Sequence, residues 1–472
     1  MSVKDLFSQE LKVTNIGSSS FLKDLDQQNT EYRSLEWAPP ARGDAEIIRC
    51  LEIIEEHKDL VSKANDLTVE RIKAAEGYLV DCKLAKEVVP GMGEHMILHS
   101  GPPVSWENMA DTQKGAVLGA VVYEGWAQNV EEAREYVEAG NVEFSPNHHH
   151  MAVGPMAGIM SPSMPVHVIH DPVNDEYSYC TINEGLGGVL RFGKNTPDVI
   201  EKLLWLKNGF APVLAEALQI SGPIDVRNII MQAVNMGDEC HNRNKAATGL
   251  FYKEIATAIM KTSFTVEEKE AAMDFIRNND HYFLNLSMPY CKLATNAGSG
   301  IPYSSIVTVM CRNAYEFGIK ISSSDKWFTA PSPIVKGLYF PGYTEDDAAR
   351  DLGDSAITET NGLGGFSMAA SPAIVKFVGG TVNDAFNYST QMNQITWSNN
   401  PNFTLPSLDF RPTALGIDIV KVLNSDILPI INTGIAHKKA GIGQVGAGLV
   451  SPPYECFKKA VRELAKEFEE KQ

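Results

Sequence analysis

A dense run of polar side chains interrupts a long helical pattern near the middle of the chain. Residues 238–245 read DECHNRNK, and apolar residues at helical spacing flank this run on both sides. Polar groups are costly to bury unless each has a hydrogen-bond partner, and a bound substrate would be one such partner. The alternative is a helix end with a solvated charge cluster. We favour a site, with catalytic roles for Glu239 and His241 and substrate binding by Asn242, Arg243 and Asn244.

The spacing of apolar residues predicts an α/β protein with complex, mixed sheets. Residues 12–17 and 32–37 fit strands on either side of a helix over 21–28, which is a Rossmann-like N-terminal start. The pattern between 197 and 279 is helical throughout, so we expect a helical insertion subdomain there. The predicted units are an N-terminal α/β domain (1–100), a central α/β segment (101–196), a helical subdomain (197–285) and a C-terminal α/β domain (286–472).

The charge balance limits the kinds of partner that the chain can bind. The formal net charge of −18 disfavours nucleic acid and anionic membranes as partners. A small anionic substrate stays compatible, because a few local cations outweigh a distant field. Seven scattered cysteines without a CxxC pair fit a reducing compartment. Since residues 1–10 lack an apolar signal segment and no apolar run is long enough to span a membrane, we expect a cytoplasmic protein.

A triple histidine follows Asn147. On a strand, His148 and His150 would face one side and His149 the other. His148 and His150 are therefore the pair that a divalent metal would use, although no HExxH or carboxylate spacing supports such a site. We favour substrate contact or acid–base catalysis by His148 or His149, and we assign no certain cofactor. A polar loop, or buried histidines with protein partners, is the alternative.

Glycine-rich turns form a third group of candidate binding segments. Residues 441–446 match GxGxxG, but the chain ends too soon for a full βαβ unit with an acid for ribose. A turn that binds an anion is the better interpretation, against the alternative of a surface loop. His437 is its catalytic candidate, and its binding candidates are Lys438, Gly443 and Gln444. Two similar turns, at 183–188 and 360–365, add the binding candidates Asn183, Glu184, Gly185, Asn361 and Gly362.

An acidic stretch lies further along the chain. Asp346, Asp347, Asp351 and Asp354 are close together, and Glu359 follows them. Their order does not match an EF-hand, so we expect a solvated loop or helix caps rather than a calcium site.

Recognisable motifs are distributed over nearly the whole chain. They are GPP at 101–103, SPNHH at 145–149, GPMAG at 154–158, SPSMP at 161–165, NEGLG at 183–187, MGDE at 236–239, HNRN at 241–244, NDH at 279–281, GDS at 353–355, GLGG at 362–365 and TGIAH at 433–437. Together they resemble the family of the AllG subunit of oxamate carbamoyltransferase. The resemblance implies an α/β architecture with a helical insertion, a role in anaerobic allantoin and purine breakdown, and FdrA-like partner subunits.

The reaction that the resemblance implies is phosphorolysis of oxalurate to oxamate and carbamoyl phosphate, by a carbamoyltransferase with partner subunits. Such a site needs cations or N–H groups for these small anions and a proton donor for the leaving nitrogen. Arg243, Lys438 and the glycine turns fit the first need, and His241, His437 and the triple histidine fit the second. We expect these groups to form one pocket in an oligomer. A metal-dependent hydrolase of a ureido compound and a noncatalytic subunit of a complex are the alternatives.

Overall fold

The computed structural model describes residues 13–17, 19–35 and 39–469. The expected strand residues Lys12, Glu36 and Trp37 lie outside these ranges, and so do the first ten residues, where a signal segment was considered. Among the described helices, none combines the length and the apolar character needed to cross a membrane.

The strands form several small sheets rather than one large sheet. Those of the described residues are β1 (Val13–Ile16), β2 (Tyr32–Leu35), β3 (Tyr78–Leu84), β4 (Met96–His99), β5 (Glu143–Pro146), β6 (Pro165–Asp171), β7 (Glu176–Thr181), β8 (Ile224–Asp225), β9 (Val307–Asn313), β10 (Glu316–Ile321), β11 (Ser324–Pro331), β12 (Lys336–Tyr339), β13 (Leu352–Gly353), β14 (Thr396–Leu405), β15 (Arg411–Ile417), β16 (Ile431–Ala436) and β17 (Gln444–Val450). The sheet orders are β7-β6-β3-β8, β11-β10-β9-β13, β12-β17-β16, β1-β2, β4-β5 and β14-β15. The pairs β1-β2 and β4-β5 are parallel, whereas the other neighbours are antiparallel.

Helices surround and connect these sheets, so the prediction of a mixed α/β protein is confirmed. Those of the described residues are α1 (Leu22–Gln27), α2 (Ala45–Glu56), α3 (Lys58–Ala74), α4 (Ala85–Val88), α5 (Asp111–Tyr123), α6 (Val130–Glu138), α7 (Pro197–Trp205), α8 (Ala211–Ser221), α9 (Val226–Asn235), α10 (Lys245–Lys261), α11 (Val266–Arg277), α12 (Leu284–Ala297), α13 (Ile357–Thr360), α14 (Val375–Val378), α15 (Val382–Gln391), α16 (Ile419–Ser425) and α17 (Tyr454–Glu469).

The first strand–helix–strand unit is a local feature. Strands β1 and β2 run parallel on either side of α1, with Val13 paired to Tyr32. Within the described residues, however, these two strands form a separate two-stranded sheet. A Rossmann sheet needs further parallel neighbours, so the Rossmann-like start does not extend into that fold.

The apolar cores join segments that are far apart in sequence. The predicted helical segment 197–285 consists mostly of helices, but loops separate them, and β8 within it pairs with β3. Its Phe251 belongs to the same buried apolar cluster as Leu79 of β3. A second buried cluster joins Ile47 of α2 to Phe457 of α17. The domain boundaries stay a prediction, and polar groups from distant segments meet between these shared cores.

Close backbone packing fixes the turn that follows β16. A Cβ atom added at Gly115 of α5 would lie 2.4 Å from the carbonyl oxygen of Gly193 and 2.8 Å from the Cβ of Ala440. Only glycine allows this approach. Helix α5, the loop after the first glycine turn and the turn after β16 are therefore held against one another.

Candidate functional site

The polar run DECHNRNK is a tight loop between α9 and α10. Gly237 and Cys240 adopt positive φ angles of 98° and 59°, which fold the chain back on itself. The Asp238 carboxylate accepts the N–H of Ala247 at 2.9 Å and so satisfies a donor in the first turn of α10. The Arg243 Nε atom lies 3.3 Å from the same carboxylate. Asp238 and Arg243 therefore shape the loop.

Glu239 is buried and organises the backbone around His241. Its carboxylate accepts the N–H of His241 at 3.2 Å and also the N–H of Arg243. Its carbonyl accepts the N–H of Gly364 at 2.8 Å. Burial raises the pKa of Glu239 well above its usual range, and the Glu359 carboxylate raises it further. Glu239 thus ties the loop to the second glycine turn.

His241 and Glu359 form a buried dyad. The Nδ1 atom of His241 lies 2.8 and 3.0 Å from the two carboxylate oxygens of Glu359. The same carboxylate accepts the Thr358 hydroxyl at 2.9 Å and the N–H groups of Gly365 and Asn432 at 3.0 and 3.2 Å. A carboxylate at Nδ1 fixes the tautomer with the proton on Nδ1 and leaves the lone pair on Nε2. Nε2 has no hydrogen-bond partner among the described residues.

The asparagines beside the dyad differ in their partners. Asn244 Nδ2 donates to the His241 carbonyl at 2.8 Å, and Asn242 Nδ2 donates to Asn432 Oδ1 at 3.2 Å. Over the part of the chain that the structure describes, the buried Nδ2 atoms of Asn432 and Asn361 have no hydrogen-bond partner. A buried N–H without a partner is costly, so a ligand oxygen is the kind of group that would complete these two amides.

Two glycine-turn candidates serve packing. A Cβ atom at Gly362 would lie 2.5 Å from the Thr413 hydroxyl, and one at Gly443 would lie 2.9 Å from the Gly187 carbonyl oxygen. The Gln444 Nε2 atom donates to a backbone carbonyl within its own strand, at 2.9 Å. These contacts account for the glycines and for Gln444 without a ligand.

The first glycine turn holds a buried acid and a buried arginine. Asn183 Nδ2 donates to Asn285 Oδ1 at 2.7 Å, and the Glu184 carboxylate accepts the backbone N–H of Arg191 at 3.0 Å. The Arg191 guanidinium donates to the Gly185 carbonyl at 2.8 Å. Burial lowers the pKa of Arg191 to about 10. Glu184, Arg191 and Asn285 line one small cavity.

His281 has a strongly shifted pKa. Burial, followed by the charge of Arg191, lowers the pKa of His281 to about 4, against the opposing effect of Asp280. The sequence places His281 in the NDH motif, which was not among the candidate site residues.

The triple histidine forms a 3₁₀ turn, Asn147–His150, rather than a strand. Successive side chains of a 3₁₀ turn point about 120° apart, so they do not alternate between two faces. The ring nitrogens of His150 contact the Pro90 carbonyl at 2.6 Å and the Ser145 hydroxyl at 2.8 Å. The structure therefore does not assemble the expected metal pair of His148 and His150.

His148 instead lies beside Asp354 and Cys311. Its Nε2 atom is 3.6 Å from Asp354 Oδ1, and potential ligand atoms of the three residues lie within 4.8 Å of one another. Among the described residues this is the group that could hold a metal ion. Burial lowers the pKa of His148 well below its usual range, and the ammonium groups of Lys292 and Lys320 lower it further. Those two positive charges oppose a metal cation at this position.

A buried network extends from the dyad toward Asp354. The Arg312 guanidinium donates to Asp351 at 2.7 Å and to the Thr433 hydroxyl at 2.8 Å. Thr433 follows Asn432, whose backbone N–H binds Glu359 at 3.2 Å. Arg312 also donates to the backbone carbonyl of the residue before Asp354, at 3.1 Å. The dyad and the cluster around His148 are therefore parts of one polar interior.

The turn after β16 directs its cation away from this interior. Lys438 is exposed, and its ammonium donates to the carbonyl of Asp346. The Nδ1 atom of His437 accepts the N–H of Lys439 at 2.9 Å, and its Nε2 atom lies 3.9 Å from an Asp347 oxygen. The expectation of one pocket thus fails for Lys438, because the acidic stretch binds it at the surface.

Buried charged residues are the main part of the site that the sequence did not indicate. Asp351, Asp354 and Glu359 are fully buried, so the solvated loop expected there is wrong for these three residues. They are buried because Arg312, His241 and backbone N–H groups supply their hydrogen bonds. Arg312 itself gave a signal, since it is a lone cation in the apolar strand β9, which is buried along its whole length.

Comparisons with known proteins connect the chain to one family. A family model described as oxamate carbamoyltransferase subunit AllG matches residues 142–355. The chain is 43% identical to the uncharacterized protein YahG of Escherichia coli K12, over 97% of this chain and 98% of YahG. It is 42% identical to the oxamate carbamoyltransferase subunit AllG of the same organism, over 86% of this chain and 98% of AllG. A crystal structure of a conserved protein of unknown function from Enterococcus faecalis V583 matches with a TM-score of 0.85 and 44% identity, over 86% of this chain and 98% of that chain.

Proposed function

The chain belongs to the AllG family, and on this premise we propose that it is a carbamoyltransferase subunit that moves a carbamoyl group between oxamate and phosphate. The observation that carries the proposal is the buried His241–Glu359 dyad, in which Glu359 binds Nδ1 of the imidazole and also accepts the backbone N–H of Asn432. In the direction of breakdown, oxalurate and phosphate give oxamate and carbamoyl phosphate. The identity of the carbamoyl acceptor comes from the AllG relative alone, and the chain is as similar to the uncharacterized YahG as to AllG.

The bond changes define what the site must supply. A phosphate oxygen attacks the carbamoyl carbon of oxalurate, and the bond between that carbon and the amide nitrogen breaks. The nitrogen takes a proton and leaves as oxamate, while the phosphate keeps the carbamoyl group. The carbonyl oxygen gains negative charge in the tetrahedral state. The site therefore needs a proton donor, neutral donors for an oxyanion, and cations for the two anionic substrates.

His241 is the proton carrier in this proposal. Glu359 occupies Nδ1, so Nε2 is the nitrogen that exchanges a proton with the substrate nitrogen. The carboxylate orients the ring and stabilises the imidazolium whenever His241 carries the second proton. A positioned acid–base group of this kind contributes about 10²–10⁴-fold to the rate.

Asn432 and Asn361 are the proposed donors to the developing oxyanion. Their buried Nδ2 atoms have no partner within the described residues, and both residues are tied to the dyad segment. Asn432 binds Glu359 through its backbone, and Asn361 is held by Asn400, whose Nδ2 donates to Asn361 Oδ1 at 2.9 Å. Preorganised donors of this kind contribute roughly 3 kcal/mol each.

The proposal includes partner subunits and a cytoplasmic location. The name of the AllG relative describes a subunit of a larger enzyme. We include in the proposed enzyme the FdrA-like partner chains that the family resemblance implies. The cysteines of the chain are all free thiols, and those other than Cys50 are buried. Unpaired thiols are in keeping with a reducing compartment.

The test is an assay of the reverse reaction. The chain is purified alone and with its partner subunits, and each sample is mixed with oxamate and carbamoyl phosphate before oxalurate is measured. We expect oxalurate from the complete complex and at least a hundredfold less from the His241→Gln complex. Absence of oxalurate from every combination contradicts the proposal. If the His241→Gln complex turns over as fast as the wild-type complex, the result favours the alternative that the chain is a noncatalytic subunit that completes a partner's site.

A further inference from the structure

A group of basic and aromatic side chains, which includes Lys292 of α12, is separate from the residues of the dyad. We name this group the basic cluster, and its members are His148, His149, Lys292, Lys320 and Trp327. They come from the Asn147–His150 turn, from α12, from β10 and from β11. The net charge of the chain is −18, so two ammonium groups that form no ion pair among the described residues, Lys292 and Lys320, require a local explanation.

Lys292 is a buried ammonium without a carboxylate partner. Its side chain lies in α12 and the residue is 4% exposed. Its Nζ atom has one long hydrogen bond, 3.5 Å to Asn296 Oδ1, and no ion pair within 4.0 Å among the described residues. Asn296 uses its amide nitrogen on Glu176, at 2.9 Å. Burying a charge in this way is costly unless another charge or several hydrogen bonds compensate.

His148 also lacks hydrogen-bond partners, although its Nε2 atom lies 3.6 Å from the carboxylate of Asp354. It is 6% exposed, and neither ring nitrogen has a hydrogen-bond partner within the residues that the structure describes. Its ring packs at 70° against Trp327, with the centroids 6.0 Å apart. A buried imidazole has a donor and an acceptor to satisfy, and both are available here.

Lys320, Trp327 and His149 form the solvent side of the basic cluster. The Lys320 Nζ atom lies 4.9 Å from the centroid of the Trp327 ring, and Trp327 Nε1 donates to His149 Nε2 at 2.9 Å. Lys320 and Trp327 are partly buried and His149 is exposed, so the cluster reaches the surface at this end.

We propose that the basic cluster binds a small oxyanion, either a carboxylate or a phosphate group, between Lys292, Lys320 and His148. The anion supplies the negative charge that Lys292 lacks and accepts a hydrogen bond from His148. Two ammonium groups on one side favour an anion over a metal cation. The proposal rests on the proposed function only for the choice of probes, which are oxamate and inorganic phosphate.

Helix α12 relates the basic cluster to the dyad. Cys291, the neighbour of Lys292 in sequence, is fully buried, and the Glu359 carboxylate raises the pKa of its thiol beyond the effect of burial. Helix α12 therefore contributes residues to the surroundings of both sites.

The experiment measures anion binding by calorimetry and by melting temperature, with oxamate and inorganic phosphate as separate probes. We expect wild-type protein to bind at least one probe and to melt about 2 °C or more higher at saturation. Lys292→Met should bind at least tenfold more weakly. It should also keep its melting temperature without ligand, because the substitution removes an unpaired buried charge. Lys320→Met is the second variant, and its anion affinity tests the proposal if Lys292→Met does not fold.

Lys421→Met is the matched control, since Lys421 lies 5.1 Å from the Trp397 ring in a similar cation–π contact elsewhere. It should bind the probes as wild type does. The response of one probe alone identifies the ligand as carboxylate or as phosphate. The proposal is overturned if wild type binds neither probe, or if both lysine variants bind as wild type does.

The outcomes also separate this proposal from the proposed function. Anion binding that depends on Lys292, without any transfer activity, supports the basic cluster and contradicts carbamoyl transfer. If the complex carries out the transfer, and Lys292→Met and Lys320→Met bind the anions as wild type does, the result supports carbamoyl transfer and overturns the proposal for the basic cluster.

Discussion

The imidazole of His241 lies 2.8 Å from the carboxylate of Glu359, although 118 residues separate the two in sequence. The loop between α9 and α10 supplies the histidine, and the short helix α13 supplies the acid. Backbone N–H groups from two further segments hold the same carboxylate. The dyad is therefore a product of the tertiary structure, and its properties can be tested one residue at a time.

Replacement of His241 tests the proton-transfer role. His241→Gln keeps a hydrogen-bonding side chain of similar size but cannot accept and return a proton, so we expect at least a hundredfold loss of turnover. His170→Gln is the matched control, because His170 lies 3.2 Å from Asp175 in a histidine–carboxylate contact outside the site. The measurement is the steady-state rate of both variants. Equal losses of turnover in the two variants would argue against a specific role for His241.

Gly364 offers a steric test of the dyad. Its φ angle is 56°, and an added Cβ would lie 2.0 Å from Glu359 Oε1. We expect Gly364→Ala to displace Glu359, with a loss of about 2 kcal/mol or more in unfolding free energy and a strong loss of activity. Gly249→Ala is the control, since Gly249 lies in α10 with nothing within 4 Å of an added Cβ. That variant should be as stable as wild type or slightly more so.

The affinity of the basic cluster for oxamate should depend on pH through Lys292. Burial and the ammonium of Lys320 together lower the pKa of Lys292 to about 8, against the opposing effects of Cys311, Glu176 and Asp354. A cation is required for binding, so affinity should fall as pH rises from 7 to 9, by up to about tenfold per pH unit. Oxamate suits the calorimetric titration because its carboxylate stays ionised throughout. A pH profile unchanged by Lys292→Met would contradict this assignment.

Asp354 should make stability depend on pH in the opposite sense from an ion-paired carboxylate. Burial raises its pKa from 3.8 to about 7 in the folded protein. Its contribution is therefore fully present below pH 4 and is lost as pH rises to about 7. The effect between pH 5 and pH 8 is at most about 3 kcal/mol. Thermal melts should show that Asp354→Asn is more destabilising at pH 5 than at pH 8, and the reverse order would refute the prediction.

Metal removal should leave the protein unchanged. His148, Asp354 and Cys311 have ligand atoms within 4.8 Å of one another, but two ammonium groups act on the same position. We expect dialysis against a chelator to alter neither the melting temperature nor turnover. Stoichiometric zinc, manganese or iron in the purified protein, lost in Cys311→Ser, would instead support the metal-dependent hydrolase considered from the sequence.

Local features of the fold followed from the sequence because short-range spacing specifies them. The local strand–helix–strand unit at the start and several separate helices between residues 197 and 279 appear near the expected positions. The pairing of strands was less accessible, since sheet order depends on segments far apart in the chain. The triple histidine shows the limit of what spacing alone can predict. We considered these residues on a strand, but in the structure they form a 3₁₀ turn, in which their rings point in different directions.

The candidate site likewise has residues that the sequence indicated and residues that it did not. His241 and Glu239 were recognisable as a dense polar group, and the structure buries both with partners. Glu359 and Asp354 were assigned to a solvated loop or to helix caps, because acidic residues near turns are exposed in most proteins. Their burial depends on partners that no local pattern reveals, namely Arg312, His241 and backbone N–H groups.

The amino-acid sequence by itself determined the kinds of chemistry available to this protein: an imidazole in a polar loop, glycines at tight turns and amides near both. Tertiary structure alone decided which of these groups meet. It brought Glu359 to His241, left Lys438 bound at the surface and buried Lys292 without a counter-charge. The reason is physical: a side chain's neighbours are set by how the cores pack, and that packing joins residues hundreds of positions apart.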